Sequence, residues 1–273
     1  MVNKKTRHIL GLSGGKDSAA LAVYIRDKIP NIEYFFCDTG CELPETYEFL
    51  DRLKARLGIE ITYLNKGLIP KDDPEAIFKH WLTVYNGYLP SARARWCTRQ
   101  LKINPLEKFV GDDDAISYIA IRADENRDGY ISAKDNINPA FPFKEAGIVK
   151  KDVYQILEES GIGMPKYYEW RSRSGCYFCF FQRKMEWLGL HDNHPELFEK
   201  AAKYETTHAD GRKFTWNDNE TLMELINRRE QIIEEHKRNQ TRIKKSCNKK
   251  TLVDIFADLD EAEGFSSCPV CHI

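Results

Sequence analysis

The strongest constraint on the fold is a stretch near the start of the chain, where a short apolar run meets a turn of small residues. Residues 9–12 are apolar and predict a buried strand. Residues 13–18 read Ser-Gly-Gly-Lys-Asp-Ser, and residues 19–29 carry apolar side chains at helical spacing before Pro30. A strand, a tight turn and a helix in this order predict an anion site, because the first N–H groups of the helix point into the turn.

The residues of the turn favour phosphate as the anion. Gly14 and Gly15 let the backbone approach a ligand closely, and Lys16 adds a positive charge. The turn is not a Walker loop, because Leu10 stands where that pattern needs its first glycine and Asp17 follows the lysine. A glycine-rich turn with a solvated lysine is the alternative. The residues predicted to cradle phosphates are Ser13, Gly14, Gly15, Lys16, Asp17 and Ser18.

The next segments predict an α/β fold with a doubly wound, mainly parallel sheet. Residues 32–39 and 60–64 have the composition of strands, and residues 44–57 form an amphipathic helical pattern between them. Parallel strands end at a common crevice, so Asp38 and Thr39 should face the phosphate turn there. We predict that these two residues bind the adenine and ribose end of a nucleotide.

The remaining pattern divides the chain into two predicted domains, 1–168 and 169–273. The first ends with a fourth strand at 116–121, a loop at 128–147 and a helix at 151–159, and the second is a mainly helical, cysteine-containing extension. A helix with a break at Pro105 is predicted for 98–110, and further helices are predicted for 195–204 and 219–238.

Two arginines follow the fourth strand at the predicted rim of the crevice. Arg122 and Arg127 stand where guanidinium groups can clamp an acceptor phosphate with paired hydrogen bonds. The alternative is a weak surface pairing with Asp124 or Glu125.

Composition limits the classes of function. The 273 residues are 42% hydrophobic, which allows a large core, and the net charge of −1 creates no global attraction for nucleic acid. We expect no signal peptide and no membrane contact, because residues 3–7 are polar and no apolar run reaches membrane length. The eight cysteines should then be reduced thiols in the cytoplasm.

Four of the cysteines form two Cys-x-x-Cys pairs that suit one metal site. The pairs are Cys176 with Cys179 and Cys268 with Cys271. Four thiolates bind Zn²⁺ or an iron–sulfur cluster, and spacing does not decide between them. Unrelated reduced thiols are the alternative, since the fold must bring two distant pairs together.

The other cysteines lie in different surroundings. Cys37 and Cys41 are expected to be small buried hydrophobic residues. Arginine and aromatic residues crowd around Cys97 and Cys176, a combination that fits a nucleic-acid backbone and exposed bases. Core aromatics with solvated arginines fit equally well. The residues concerned are Arg93, Arg95, Arg99, Arg171, Arg173, Arg183, Lys184, Tyr167, Tyr168, Trp170, Tyr177, Phe178, Phe180, Phe181 and Trp187.

The phosphate turn resembles the PP-loop of the ATP pyrophosphatases, which split ATP into AMP and pyrophosphate. Later segments are similar, in order, to segments of the phosphoadenosine phosphosulfate (PAPS) reductase family. They read Cys-Asp-Thr-Gly-Cys-Glu-Leu-Pro-Glu-Thr at 37–46, Arg-Trp-Cys-Thr-Arg-Gln-Leu-Lys-Ile-Asn-Pro-Leu at 95–106 and Ile-Arg-Ala-Asp-Glu-Asn-Arg at 121–127. The resemblance implies an adenine nucleotide alpha hydrolase-like fold that uses ATP and Mg²⁺.

Two departures separate the chain from the reductases of that family. Trp96 stands beside Cys97, where the iron–sulfur adenylyl-sulfate reductases have tandem cysteines, and the last residues match the reductase tail only loosely. The segment 175–182 resembles instead the ATP pyrophosphatase components of the Dnd and Ssp systems of DNA phosphorothioation, a defence modification. That resemblance favours an iron–sulfur cluster over Zn²⁺, with Cys97 as an alternative ligand.

The implied function is therefore ATP-dependent sulfur transfer. Lys16 and Asp17 act at the ATP phosphates, Arg122 and Arg127 hold the acceptor, and a thiolate such as Cys97 relays sulfur. The implied acceptor is a DNA backbone phosphate, and the implied sulfur donor is a cysteine desulfurase. A PAPS or adenylyl-sulfate reductase and a non-catalytic nucleotide sensor are the alternatives.

Overall fold

Five parallel strands form the sheet that organises the first half of the molecule. The computed structural model describes residues 6–126, 132, 134–207, 213–217 and 220–247, with side chains as far as 241. The order of the strands across the sheet is β3-β2-β1-β4-β5, and all neighbouring pairs are parallel. The strands are β1 (Arg7–Gly11), β2 (Ile32–Cys37), β3 (Ile61–Leu64), β4 (Ala115–Tyr118) and β5 (Ile137–Ala140).

The crossover helices follow the predicted pattern. Helix α1 (Lys16–Ile25) connects β1 to β2, and α2 (Pro44–Leu57) connects β2 to β3. Helix α2 begins at a proline, which needs no N–H partner in the first turn, and ends at Gly58 in the left-handed region. The predicted α/β class and parallel sheet are confirmed, and α1 begins three residues earlier than predicted because Lys16 already belongs to its first turn.

Later helices complete this half and the helical C-terminal region. They are α3 (Ala76–Val84), α4 (Trp96–Thr98), α5 (Asn104–Val110), α6 (Pro142–Glu145), α7 (Lys150–Glu159), α8 (Lys184–Asn193), α9 (Pro195–Tyr204), α10 (Leu222–Asn227) and α11 (Arg229–Cys247). Short 3₁₀ turns lie at Lys66–Leu68 and Lys166–Glu169, and β6 (Thr206–Thr207) pairs with β7 (Lys213–Phe214). None of the helices in the described part of the chain is long and apolar enough to cross a membrane.

Two predicted boundaries around prolines are wrong. The predicted loop at 128–147 contains β5, because Pro139 lies in an edge strand, where a missing N–H is tolerated. The predicted break at Pro105 is absent, because a π-helical turn at Arg99–Ile103 leads into α5 and places the proline in its first turn.

The structure divides into two compact units. One contains the described residues as far as 84 and from 95 to 176, and it includes the five-stranded sheet. The other contains residues 85–94 and the described residues after 176, and its core is aromatic: Phe178 stacks on Trp216 with ring centroids 5.0 Å apart. Tyr177, Phe178, Phe181 and Trp187 are buried, so these aromatic residues are core residues and not exposed base-stacking groups.

An ion-pair cluster in the second unit generates a stability prediction. The Glu220 carboxylate accepts hydrogen bonds from Arg228 and from Lys184, and these lower its pKa to about 2. A carboxylate whose folded pKa is depressed stabilises the protein above its unfolded value of about 4.3, and this contribution disappears as the pH falls toward about 2.

We expect Glu220→Gln to lower the free energy of unfolding at neutral pH by about 1–2 kcal/mol, with the difference shrinking as the pH falls toward about 2, where about half of the wild-type carboxyl is protonated. Urea unfolding of wild type and variant across this pH range measures the effect. Glu199→Gln, which changes an exposed carboxylate on α9, is the matched control and should have little effect. Equal losses in both variants at all pH values would contradict the assignment.

Candidate functional site

The phosphate turn lies at the carboxyl end of β1 and is closed by its own hydrogen bonds. The Ser13 N–H donates to Ser18 Oγ over 3.1 Å, and the Ser18 hydroxyl donates to the Gly15 carbonyl over 3.2 Å. Gly14 has a φ of 71°, in the left-handed region that favours glycine. The turn is therefore held in one shape before any ligand binds.

Close packing around the turn explains why positions 14 and 15 are occupied by glycine. A Cβ atom on Gly14 would lie 2.4 Å from the Thr46 methyl group on α2, and one on Gly15 would lie 2.7 Å from Ser174 Oγ. Larger residues would therefore push the turn away from its neighbours. The sequence analysis explained Gly14 and Gly15 by the close approach of a ligand, and the structure adds close packing against neighbouring side chains as a second reason.

Two charged residues at the end of the turn, Lys16 and Asp17, are buried and form an ion pair. Lys16 Nζ lies 2.7 Å from Asp17 Oδ2, and Asp17 Oδ1 lies 3.1 Å from Arg122 Nη1. The Lys16 residue is 6% exposed, so it is not the solvated lysine of the alternative interpretation. Burial is the largest single influence and lowers the pKa of Lys16, but Asp17 and Tyr168 together raise it by more, and the net shift is upward. The lysine is therefore positively charged at neutral pH.

Arg122 is buried among three carboxylates at the end of β4. Its residue is 5% exposed, and its guanidinium contacts Asp17, Asp124 and Glu125, the last over 2.6 Å. The pairing with Asp124 and Glu125 that the sequence offered as the alternative is present, but it is buried and includes Asp17, so it ties Arg122 to the phosphate turn. The role of Arg122 at an acceptor phosphate remains a prediction. Burial lowers its pKa, the three carboxylates raise it, and the net shift is upward. The second predicted arginine, Arg127, lies outside the described residues.

A segment between α7 and α8 covers the phosphate turn, and the sequence analysis, which assigned its tyrosines to nucleic-acid contacts or to the core, did not predict this role. Within it, the Tyr167 hydroxyl donates to the Gly14 carbonyl over 2.6 Å, and the Tyr168 hydroxyl accepts from the Lys16 N–H over 3.3 Å. The Ser174 hydroxyl donates to Ser13 Oγ over 3.2 Å. The consecutive tyrosines were the available signal, but nothing in their spacing connects them with a turn about 150 positions earlier.

The carboxyl end of β2 forms the second part of the site, beside the end of β1. Asp38 Oδ1 accepts hydrogen bonds from the Gly40 N–H over 2.9 Å and from the Tyr47 hydroxyl over 2.7 Å. Gly40 has a φ of 71°, and a Cβ there would lie 1.9 Å from the Pro74 carbonyl oxygen. The parallel register of β1 and β2 brings the predicted phosphate and nucleoside residues to one edge of the sheet. Their ligand roles remain predictions.

Thiols occupy two kinds of position near this edge. Cys37 and Cys41 are buried as predicted, and burial raises the pKa of Cys37 to about 12 and that of Cys41 also upward. The Cys176 sulfur lies 3.3 Å from Thr39 Oγ1 and 3.7 Å from Glu42 Oε1. Burial raises the pKa of Glu42, although Lys102 and the Thr39 hydroxyl oppose that shift.

The predicted four-thiolate metal site is not assembled by the residues that the structure describes. Cys268 and Cys271 lie outside them, and no group of three or more His, Cys, Asp or Glu side chains within them is arranged to hold a metal ion. Cys97 lies half-buried in α4. The iron–sulfur or zinc site remains a prediction.

Comparisons with known proteins agree with the fold. Residues 7–142, from β1 through β5, match the phosphoadenosine phosphosulfate reductase domain. An uncharacterized protein of Methanocaldococcus jannaschii is 27% identical over 70% of this chain and 40% of its own length. A phosphoadenosine 5'-phosphosulfate reductase of Thiocapsa roseopersicina is 28% identical over 42% of this chain and 45% of its own.

A third relative acts on RNA. A tRNA-specific 2-thiouridylase of Lactobacillus johnsonii is 26% identical over 60% of this chain and 50% of its own length. This chain thus spans about half the length of the curated relatives it matches. The match to the phosphoadenosine phosphosulfate reductase domain covers just under half of this chain, which is therefore similar to that domain over its five-stranded sheet.

Proposed function

We propose that this protein is an ATP pyrophosphatase that adenylates an acceptor for sulfur transfer. The observation that carries the proposal is the preformed turn at the start of α1, with a charged and buried lysine beside it. A helix N-terminus and a nearby cation suit the negative charge of a polyphosphate. The match of residues 7–142 to the phosphoadenosine phosphosulfate reductase domain supports sulfur chemistry as the setting.

In the proposed reaction the turn binds the β- and γ-phosphates while the α-phosphate is attacked. An acceptor oxygen bonds to the α-phosphorus and pyrophosphate leaves, which makes the acceptor oxygen part of a good leaving group. Lys16 stabilises the departing charge, and Arg122 holds Asp17 in place beside it. Mg²⁺ would neutralise phosphate charge, with the ATP oxygens as its main ligands, because Asp17 is already engaged by two cations.

For the acceptor we propose a DNA backbone phosphate, with a cysteine desulfurase as the sulfur donor and a defence role in the cytoplasm. RNA is the second candidate, because one relative is a tRNA-specific 2-thiouridylase.

The deciding experiment incubates the purified protein with ATP and either duplex DNA or tRNA. It measures how much each acceptor stimulates the release of pyrophosphate. A parallel sample with PAPS and thioredoxin is assayed for sulfite. Formation of sulfite without release of pyrophosphate from ATP would refute the proposal and identify the protein as a reductase.

We expect the proposed reaction to need the positive charge of the buried Lys16. Lys16→Met keeps much of the apolar stem but removes the charge, so pyrophosphate release from ATP should fall by about a hundredfold or more. Release is measured with enzyme-coupled detection, and thermal melting checks that the variant folds. Lys71→Met changes an exposed lysine and should retain wild-type release. A folded Lys16→Met protein with the wild-type rate would refute the role of the turn.

The Tyr168 hydroxyl accepts a hydrogen bond from the Lys16 N–H, which is one of the donors that the turn could offer to a phosphate. A phosphate oxygen that binds the Lys16 N–H must displace the Tyr168 hydroxyl, so Tyr168→Phe should lower the Kd for ATP by about two- to tenfold. Calorimetric titration measures the affinity. Tyr154→Phe, at a more exposed tyrosine on α7, is the control. Weaker binding by Tyr168→Phe would mean that the hydroxyl is itself a nucleotide contact.

A further inference from the structure

Cys176 differs from the cysteines of β2 in exposure and in chemical surroundings. Cys37 and Cys41 are almost completely buried, and the Cys37 sulfur faces the Lys102 carbonyl over 3.7 Å. Cys176 is partly exposed, and its sulfur lies beside the Thr39 hydroxyl and the Glu42 carboxylate. A reagent from solution can therefore reach this thiol more readily than the other two.

Two buried charged groups next to Cys176 have unused hydrogen-bonding capacity. Among the described residues, neither Glu42 Oε2 nor Arg171 Nε has a hydrogen-bond partner, although the two residues are only 8% and 2% exposed. Arg171 donates its other nitrogens to the carbonyls of Gly175 and Cys176, over 2.9 and 2.8 Å. Buried polar groups are nearly always satisfied, so an unpaired acceptor and an unpaired donor beside one thiol indicate a site for a ligand or reacting group.

The backbone connects this thiol with the phosphate turn. Ser174, two positions before Cys176, donates its hydroxyl to Ser13 and packs on Gly15. Thr39, which contacts the sulfur, stands at the end of β2 beside the end of β1. The thiol is therefore held at the same edge of the sheet as the turn that is proposed to bind ATP.

We propose that Cys176 is the thiol that takes up sulfane sulfur from a persulfide donor, a role that rests on the proposed sulfur-transfer function. The Cys176 sulfur bonds to the outer sulfur of the donor persulfide, and the S–S bond of the donor breaks. The donor leaves as a thiol that carries one proton, and Cys176 becomes a persulfide without net oxidation. The unpaired Arg171 N–H offers a hydrogen bond to the bound sulfur.

Persulfide mapping on the full chain tests this assignment. Anaerobically purified protein is treated with inorganic polysulfide, both as purified and after metal removal by a chelator. Persulfides are then trapped by alkylation and located by peptide mass spectrometry. We expect one added sulfur on Cys176 in at least one of the two forms, and its loss in Cys176→Ser. Cys37→Ser, the same change at a buried thiol, should retain the added sulfur on Cys176.

Two outcomes would overturn the assignment: no added sulfur on Cys176 in either form, or preferential labelling of Cys97 or Cys179. Circular dichroism of each variant establishes that it is folded, and wild-type mapping decides the question if Cys176→Ser does not fold. Pyrophosphate release by the same wild-type sample is measured in parallel. Release without labelling of Cys176 rejects this inference alone, whereas labelling without release rejects the proposed ATP chemistry alone.

Discussion

The buried pairing of Lys16 with Asp17 is the interaction on which the candidate site depends. Two charges taken out of water are costly to hold, and the cost is offset only when each has a close partner. Arg122 supplies that partner for Asp17 and is in turn held by Asp124 and Glu125. This network joins the end of β4 to the turn after β1, so the position of the lysine depends on the register of two adjacent strands.

The same region of the sheet supports two kinds of chemistry. Backbone N–H groups and Lys16 suit a polyphosphate, whereas Thr39, Glu42 and Arg171 form a polar environment around a thiol. The segment that contains Tyr167, Tyr168 and Ser174 contacts the phosphate turn and leads directly into Cys176. A nucleotide that displaces the Tyr168 hydroxyl would therefore act on the segment that carries the thiol, which gives the two steps of the proposed reaction a physical connection.

The comparisons with known proteins narrow the function without naming the acceptor. The matched domain ends at residue 142, before the tyrosine segment and Cys176. Cys176 and Arg171 thus lie outside the matched domain, whereas the phosphate turn, Thr39 and Glu42 lie inside it. Such a division is expected where the acceptor chemistry depends on residues that are added to a nucleotide-binding sheet.

The sequence alone determined the elements whose cause is local. The strand, turn and helix around Ser13–Ser18 and the ends of α2 at Pro44 and Gly58 follow from apolar spacing and from the backbone preferences of glycine and proline. Only the tertiary structure decided the burial of Arg122, the strand around Pro139, the tyrosine cover on the turn and the contacts of Cys176. Each of these joins residues distant in sequence or depends on a position at the edge of the sheet, and local patterns carry no information about such pairings.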